Sequence, residues 1–396
     1  MVGVGIVIPI FANLVIRNDA GLLALDSSFA SRALLLGLLT AVYPASQFFG
    51  APLLGAMSDR YGRKLILVLS LLGTVAGYLL FGFGITTSSL WILFLSRAID
   101  GFTGGNISIA MSSIADISDH SAKSRNFGLI GMAFGLGFII GPAIGGLLSD
   151  SHISPLFTYA TPFWVAAILS SINVLLVLWR FTETLDHRVE SEMSLFTGFR
   201  NIRRAFALRN LRTMFLVVFL LTFGFNFFTQ FFQVFLIQKF SFTESEIGGL
   251  FAFVGVWIVV GQGVLVRPLS RKFSPRAILA ISALVLAIAL PMLLLPSHAY
   301  VLFFILPFIA MSNGLTMPNY NAIISNLAGK KSQGEILGIN QSIQALAMAL
   351  PPLIAGLIVT IDRNFPIMMS GIVTLSAWLV FMLFFRVEDS HTYDQA

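Results

Sequence analysis

The sequence predicts an all-α integral membrane protein of twelve transmembrane helices arranged as two pseudo-symmetric six-helix bundles. Three observations predict it. The 396-residue chain is 57% hydrophobic and only 11% charged, too little charge to cover a soluble surface of this size. Apolar runs of roughly 20 residues, the length that crosses a bilayer, recur from end to end. The polar breaks between most of them are too short to fold alone, so they read as turns between antiparallel helices. Mean hydropathy is correspondingly high, at +0.88.

Taken in order, the first six spans are expected near 1–16, 33–57, 65–85, 90–115, 127–148 and 161–180. The second six are expected near 213–238, 246–266, 276–295, 300–327, 335–360 and 365–385. Span 1 is short for a crossing and has neither a basic leader nor a cleavage site, so the chain is expected to start inside its first helix. The segment 181–212 is the longest polar stretch and separates a first bundle, 1–180, from a second, 213–396. Its Arg200, Arg203, Arg204, Arg209 and Arg212 alternate with Phe199, Ile202, Phe206 and Leu208, which fits a basic amphipathic helix on the membrane surface or a solvated linker.

Charge fixes the expected orientation. With the 55–64 turn placed in the cytosol, nineteen of the 24 lysines and arginines fall on that side and four on the other, leaving Arg97 within span 4. That asymmetry puts both termini in the cytoplasm of a multi-pass cell-membrane protein, in the inner membrane if the source is Gram-negative. It also explains the net charge of +6 without a nucleic-acid partner. The chain has no cysteine, and its five histidines are scattered, so no metal site, cofactor or thiol chemistry is expected. No nucleophile–base pairing or phosphate loop points to an enzyme.

Four patterns carry functional expectations. Gly55-Ala-Met-Ser-Asp59-Arg60-Tyr-Gly62-Arg63-Lys64 is a glycine-bracketed basic turn between spans 2 and 3, and Leu269–Arg276 echoes it weakly in the second half. Asp59 is expected near Gly334 at the start of span 11, with Arg60 and Arg63 free to pair acids such as Asp116. Arg97 and Asp100, three residues apart, form the ionisable pair within span 4, either a structural ion pair or a proton site. Gly137, Gly141-Pro142 and Gly145-Gly146 place a smooth, kinked stripe on span 5. Finally, Asn13, Gln47, Asn226, Gln230, Gln233, Asn313, Tyr320, Asn340 and Gln344 are polar groups within spans, either interhelical glue or the wall of a substrate cavity. Phe223, Phe227, Phe231 and Phe235 would add apolar surface beside the span-7 amides.

The Gly55–Lys64 turn resembles the loop between the second and third helices of major facilitator superfamily transporters. Leu95–Gly101 resembles that family's span-4 arginine motif, and Gly137–Gly146 the motif of its proton-coupled exporters. With Ile114-Ala115-Asp116 and Arg125–Gly128, the stretch 43–148 closely resembles tetracycline/proton antiporters and drug-efflux relatives; the likeness at 333–356 is weaker. The resemblance implies the major facilitator fold, a conformational latch in the 55–64 turn, and proton movement at Arg97, with Asp100 beside it. It implies proton-coupled efflux of a lipophilic or amphipathic small molecule by a monomer in the lipid bilayer. Uptake or facilitated passage of a small metabolite or siderophore-like chelate is the alternative, and a non-transporting receptor a third. Two departures matter: Gly77 stands where the tetracycline transporters carry an acid in span 3, and span 9 has no carboxylate. Tetracycline is therefore not the expected substrate.

Overall fold

A computed structural model describes residues 5–6, 10–11, 13–17, 22–23, 26–117, 123–185, 196–327 and 329–385. Half of span 1 (1–4, 7–9 and 12), the middle of the connector (186–195) and the tail (386–396) lie outside the described residues. The described residues are helical with no strand, and nine helices among them are long and apolar enough to cross a membrane.

Span 2 is a single helix, Phe29–Tyr61, opened by Ser28, whose Oγ accepts from Ser31 N. Span 3 follows as Arg63–Thr86, so the expected ten-residue turn contracts to one residue, Gly62. Its φ of +108° is a conformation that glycine adopts freely and a β-carbon resists. The basic residues before it remain helical because nothing earlier breaks the turn. Span 4 departs from expectation as well: it divides into Leu90–Thr103 and Asn106–Asp116 around Gly104-Gly105. Gly104 sits under the Tyr43 hydroxyl and Gly105 against the Ala51 backbone, so close approach of span 2 accompanies the break.

Span 5 is Lys123–Ser149, span 6 Thr161–Arg180, and the connector contains a helix, Thr197–Ala207. Span 7 is Arg209–Phe240. Span 8 starts at Glu244 with a capping box: Thr243 Oγ1 accepts from Glu246 N, and Glu246 Oε2 accepts from Thr243 N at 2.8 Å. It runs through a π-helical turn, Val260–Leu265, to Lys272. Spans 9 to 12 are Pro275–Met292, Leu302–Leu327, Gly329–Ile358 and Phe365–Phe384.

The helices pack as two groups. Span 3 packs on spans 4 and 6, and span 2 on span 4; beyond the connector, span 12 packs on 7 and 9, and span 10 on 9. The groups meet chiefly through span 2 on span 11 and span 5 on span 8, with a smaller contact of span 1 on span 7. The two larger contacts are made by backbone. Gly37 faces the carbonyl of Pro352, Gly356 faces that of Ala33, and Gly248 faces that of Pro142. Without a hydrophobic drive between helices in lipid, such close approach supplies much of the association. These contacts gather at the end of the bundle opposite the Gly62 turn, called here the far end; the Gly62 end is the basic end.

Gly146→Val tests this packing, because a Cβ there would lie 2.7 Å from the Glu244 carbonyl. The variant should lose about 1–3 kcal/mol of stability. Gly249→Ala, where nothing lies within 4 Å, should be neutral or gain up to about 1 kcal/mol of helix propensity. Thermal unfolding in detergent compares them; equal shifts would contradict backbone contact as the constraint.

Candidate functional site

At the basic end, the Gly62 bend presents Arg63, whose side chain is only 8% exposed. Arg63 Nη1 pairs with Asp59 one turn back and donates to Ser58 Oγ at 2.7 Å. Arg63 Nε donates to Asp116 Oδ2 at 3.0 Å, and Thr184 Oγ1 reaches the same oxygen at 3.4 Å. Arg63, rather than Arg60, therefore takes Asp116; Arg60 lies 5.6 Å over the Tyr61 ring. Gly55 borders open space. Side chains around Gly334 lie outside the description, and with them the expected neighbour of Asp59.

One partner of this hub is absent from the sequence-based expectations. Glu183, just past span 6, accepts from the backbone N–H groups of Arg63 (2.9 Å), Lys64 (3.1 Å), Thr184 (3.0 Å) and Leu185 (3.1 Å). Span 3 begins at Gly62 with no side-chain cap, so its orphan donors need a remote acceptor. The signal was available: a helix opening Gly-Arg-Lys lacks the Ser, Thr, Asp or Asn that usually caps one. Partial burial opposes the Glu183 charge, but the four N–H donors outweigh it and hold the carboxyl below the ordinary glutamate range.

Within span 4, Arg97 Nη1 lies 3.4 Å from Asp100 Oδ2 on one helix face. The guanidinium sits 4.5 Å over the Tyr43 ring and 5.2 Å over that of Phe11, so two ring faces share its charge. Asp100 is buried, with Thr74 of span 3 hydrogen-bonded to its carboxylate. Opposite it is Gly77, where a Cβ would stand 2.7 Å from the Asp100 Cβ. Ser96 Oγ fastens the same place by donating to the Gly77 carbonyl at 2.8 Å. A buried carboxyl that shares one cation with two aromatic faces can take up a proton without stranding that cation.

The span-5 glycines serve helix contact. Gly137, Gly141 and Pro142 surround Gly5, Gly145 meets the Ile6 carbonyl, and Gly146 meets Glu244 and Gly248 of span 8. The same seam holds a pair that no local pattern announces, since its members are 85 residues apart: Tyr159 Oη donates to Glu244 Oε1 at 2.9 Å. It joins the two helix groups at the far end.

The amide set divides. Gln47 Nε2 donates to the Gly104 carbonyl at 3.1 Å, tying span 2 to the break in span 4. Asn226 Nδ2 bonds the Thr222 carbonyl of its own helix at 2.8 Å. Asn340 Nδ2 donates to Asn321 Oδ1 at 2.8 Å, and Tyr320 Oη donates to Gln344 Oε1 at 3.3 Å, so spans 10 and 11 form one polar cluster. Asn321 was not among the expected residues. Gln233 Oε1, Asn340 Oδ1 and Gln344 Nε2 are buried with no hydrogen-bond partner among the described residues. Asn13 is fully buried in a π-helical turn, while Gln230 and Asn313 are half-buried. Phe227 and Phe231 belong to one buried cluster with Ile10 and Leu14 of span 1.

A family model, the Major Facilitator Superfamily, matches residues 1–352. The chain is 29% identical over 357 residues to the class C tetracycline resistance protein of Escherichia coli, covering 89% of this chain and 85% of that one. It is 29% identical over 366 residues to multidrug resistance protein 1 of Bacillus subtilis (strain 168), covering 92% and 88%. Among solved structures, it resembles a D-xylose–proton symporter at TM-score 0.74 and 16% identity, covering 97% of this chain and 96% of that one. The human organic anion transporter MFSD10 (TETRAN) matches at TM-score 0.73 and 22% identity, covering 96% and 97%. At those identities, the solved structures speak for the fold alone.

Glu183→Ala should fray the start of span 3, at a cost of about 1 kcal/mol, as for loss of an N-cap. Hydrogen exchange at the Arg63 and Lys64 amides should quicken. Because the folded pKa is depressed, this contribution is present above the unfolded value of about 4.3 and is lost as pH falls through the folded one. Unchanged exchange at neutral pH would remove Glu183 from the hub.

Proposed function

The chain belongs to the Major Facilitator Superfamily, and from that premise we propose that it exports a lipophilic or weakly polar small molecule in exchange for protons. It is a multi-pass membrane protein and a transporter, not an enzyme. Its tetracycline and multidrug resistance relatives support the efflux reading. The positive-inside bias supports a cytosolic basic end, with bundles 1–180 and 213–396 working as the two halves.

The observation that carries the proton half is the seat of Asp100. The tetracycline transporters that the chain resembles have an acid at the Gly77 position, and here that space is filled from across the interface by Asp100. Span 4 thus supplies a carboxyl to the place where span 3 would otherwise bring one. A proton arriving at Asp100 weakens its bond to Arg97 and leaves the guanidinium on Tyr43 and Phe11. The equilibrium between orientations then shifts by the difference in proton affinity between them. Substrate would meet the polar cluster of spans 10 and 11 together with Gln233, whose unmet donor and acceptor atoms suit a weakly polar molecule. A drug–metal chelate finds no support, since Gly77 stands where the tetracycline transporters carry an acid and span 9 has no carboxylate.

The exchange of positions makes a sharp test in inside-out vesicles. Asp100→Ala should lower proton-driven accumulation of a lipophilic dye at least tenfold, and Arg97→Ala likewise. Gly77→Asp alone should be inactive or unstable, because its side chain meets Asp100. Gly77→Asp combined with Asp100→Ala should recover accumulation, which no generic packing role would produce. Full dye transport by Arg97→Ala, or proton-independent uptake of a nutrient by the wild type, would overturn the proposal.

A further inference from the structure

The connector helix Thr197–Ala207 is three-sided. At about 100° per residue, Gly198, Asn201 and Ala205 share one face, and all three are buried. Phe199 and Phe206 share a second face and are 54% and 72% exposed. Arg200, Arg203 and Arg204 occupy the third, also exposed. A solvated linker has no reason to hold Phe206 and the outer edge of Phe199 beside three arginines. A bilayer surface does, because acyl chains lie next to phosphate within one headgroup layer.

The first face is docked on both helix groups. Gly198 lies flat on the Phe48 ring of span 2, where a Cβ would stand 2.6 Å from Cζ. Phe199 packs edge-on to Phe48 at 5.1 Å. Asn201 Nδ2 donates to Ser342 Oγ of span 11 at 3.0 Å, a bond buried on both sides. Spans 2 and 11 are the pair in backbone contact at the far end, so the helix bridges them nearer the basic end. Trp179 is 75% exposed at the end of span 6, with Arg180 over its ring at 4.5 Å, the pairing expected where a membrane meets water.

We propose that this helix docks on an anionic phospholipid leaflet and, by bridging spans 2 and 11, makes their arrangement depend on lipid charge. Phe206, with the exposed edge of Phe199, enters the acyl boundary and the arginines meet headgroup phosphates. Anionic lipid retains the helix against Phe48 and Ser342, and any movement that brings the basic ends of spans 2 and 11 together must release it. The proposal needs the basic end to face the leaflet, but it needs neither proton coupling nor a known substrate.

Because the natural chain has no cysteine, Phe206→Cys accepts a single environment-sensitive fluorophore. The full-length protein is reconstituted in phosphatidylcholine alone or mixed with phosphatidylglycerol. Emission should shift to the blue in the anionic vesicles, and added salt should reverse the shift. Each of Arg200→Gln, Arg203→Gln and Arg204→Gln should lower the docked-to-released ratio about fivefold. Spin labels at Tyr61→Cys and Gln341→Cys should give one narrow distance in anionic vesicles and a broader distribution in neutral ones. Identical emission in both lipids, or a distance indifferent to lipid, overturns the proposal. The salt reversal on the wild-type arginines decides the matter even if an arginine variant fails to fold, and none of these signals depends on export.

Discussion

The architecture rests on backbone-to-backbone approach at the far end. In lipid, a leucine gains nothing by leaving the acyl chains for another helix, so halves are joined by what lipid cannot match. Glycine opposite carbonyl supplies it: Gly37 on Pro352, Gly356 on Ala33, Gly248 on Pro142 and Gly146 on Glu244. One polar bond, from Tyr159 to Glu244, lies on the same seam. Contact of this kind depends steeply on distance, because a gap of about an ångström forfeits up to about half of the dispersion gained. The seam therefore favours two discrete arrangements, closed or parted, over a continuum.

Arg63, which is buried, and Arg97, which is largely so, show how the chain manages charge in a poor dielectric. Arg63 has Asp59, Asp116 and Ser58 about it, a surplus of acceptors that fixes its position. Arg97 has one carboxylate and two ring faces, which lets its charge persist when the carboxylate is lost. Removing a partner from a buried pair ordinarily strands the remaining ion at a cost of about 3–5 kcal/mol. The rings of Tyr43 and Phe11 lessen that cost for Arg97. The first arrangement is suited to structure and the second to a change of state.

Hydropathy made the spans legible, because membrane crossing demands a length and a composition that the sequence displays openly. It could not show where a helix turns within an apolar run: the break at Gly104-Gly105 arises from contact with Tyr43 and Ala51 of span 2. The basic turn and the Arg97–Asp100 pair were readable as local patterns. Glu183 was not, although the uncapped start of span 3 implied that some distant acceptor existed. Tyr159 with Glu244, and Asn201 with Ser342, join residues 85 and 141 positions apart and leave no local trace. Nor could composition show that Phe227 and Phe231 of span 7 would share a buried cluster with span 1.

The two ends of the bundle differ in the physics that holds them. At the far end, halves are joined by backbone contact, strong only when complete. At the basic end, every described hydrogen-bond and ion-pair partner of the Arg63 side chain belongs to residues before 186, within the first helix group. These contacts hold spans 2, 3 and 4 and the start of the connector as one unit. Across that end, Asn201 of the connector helix bonds Ser342 of the second group. A rigid unit on one side, linked through a helix with two exposed phenylalanines, leaves the basic end free to change its spacing while the far end stays shut. Alternation requires the reverse as well: the glycine seam must part when the basic end closes, and the connector is the element that both movements would have to displace.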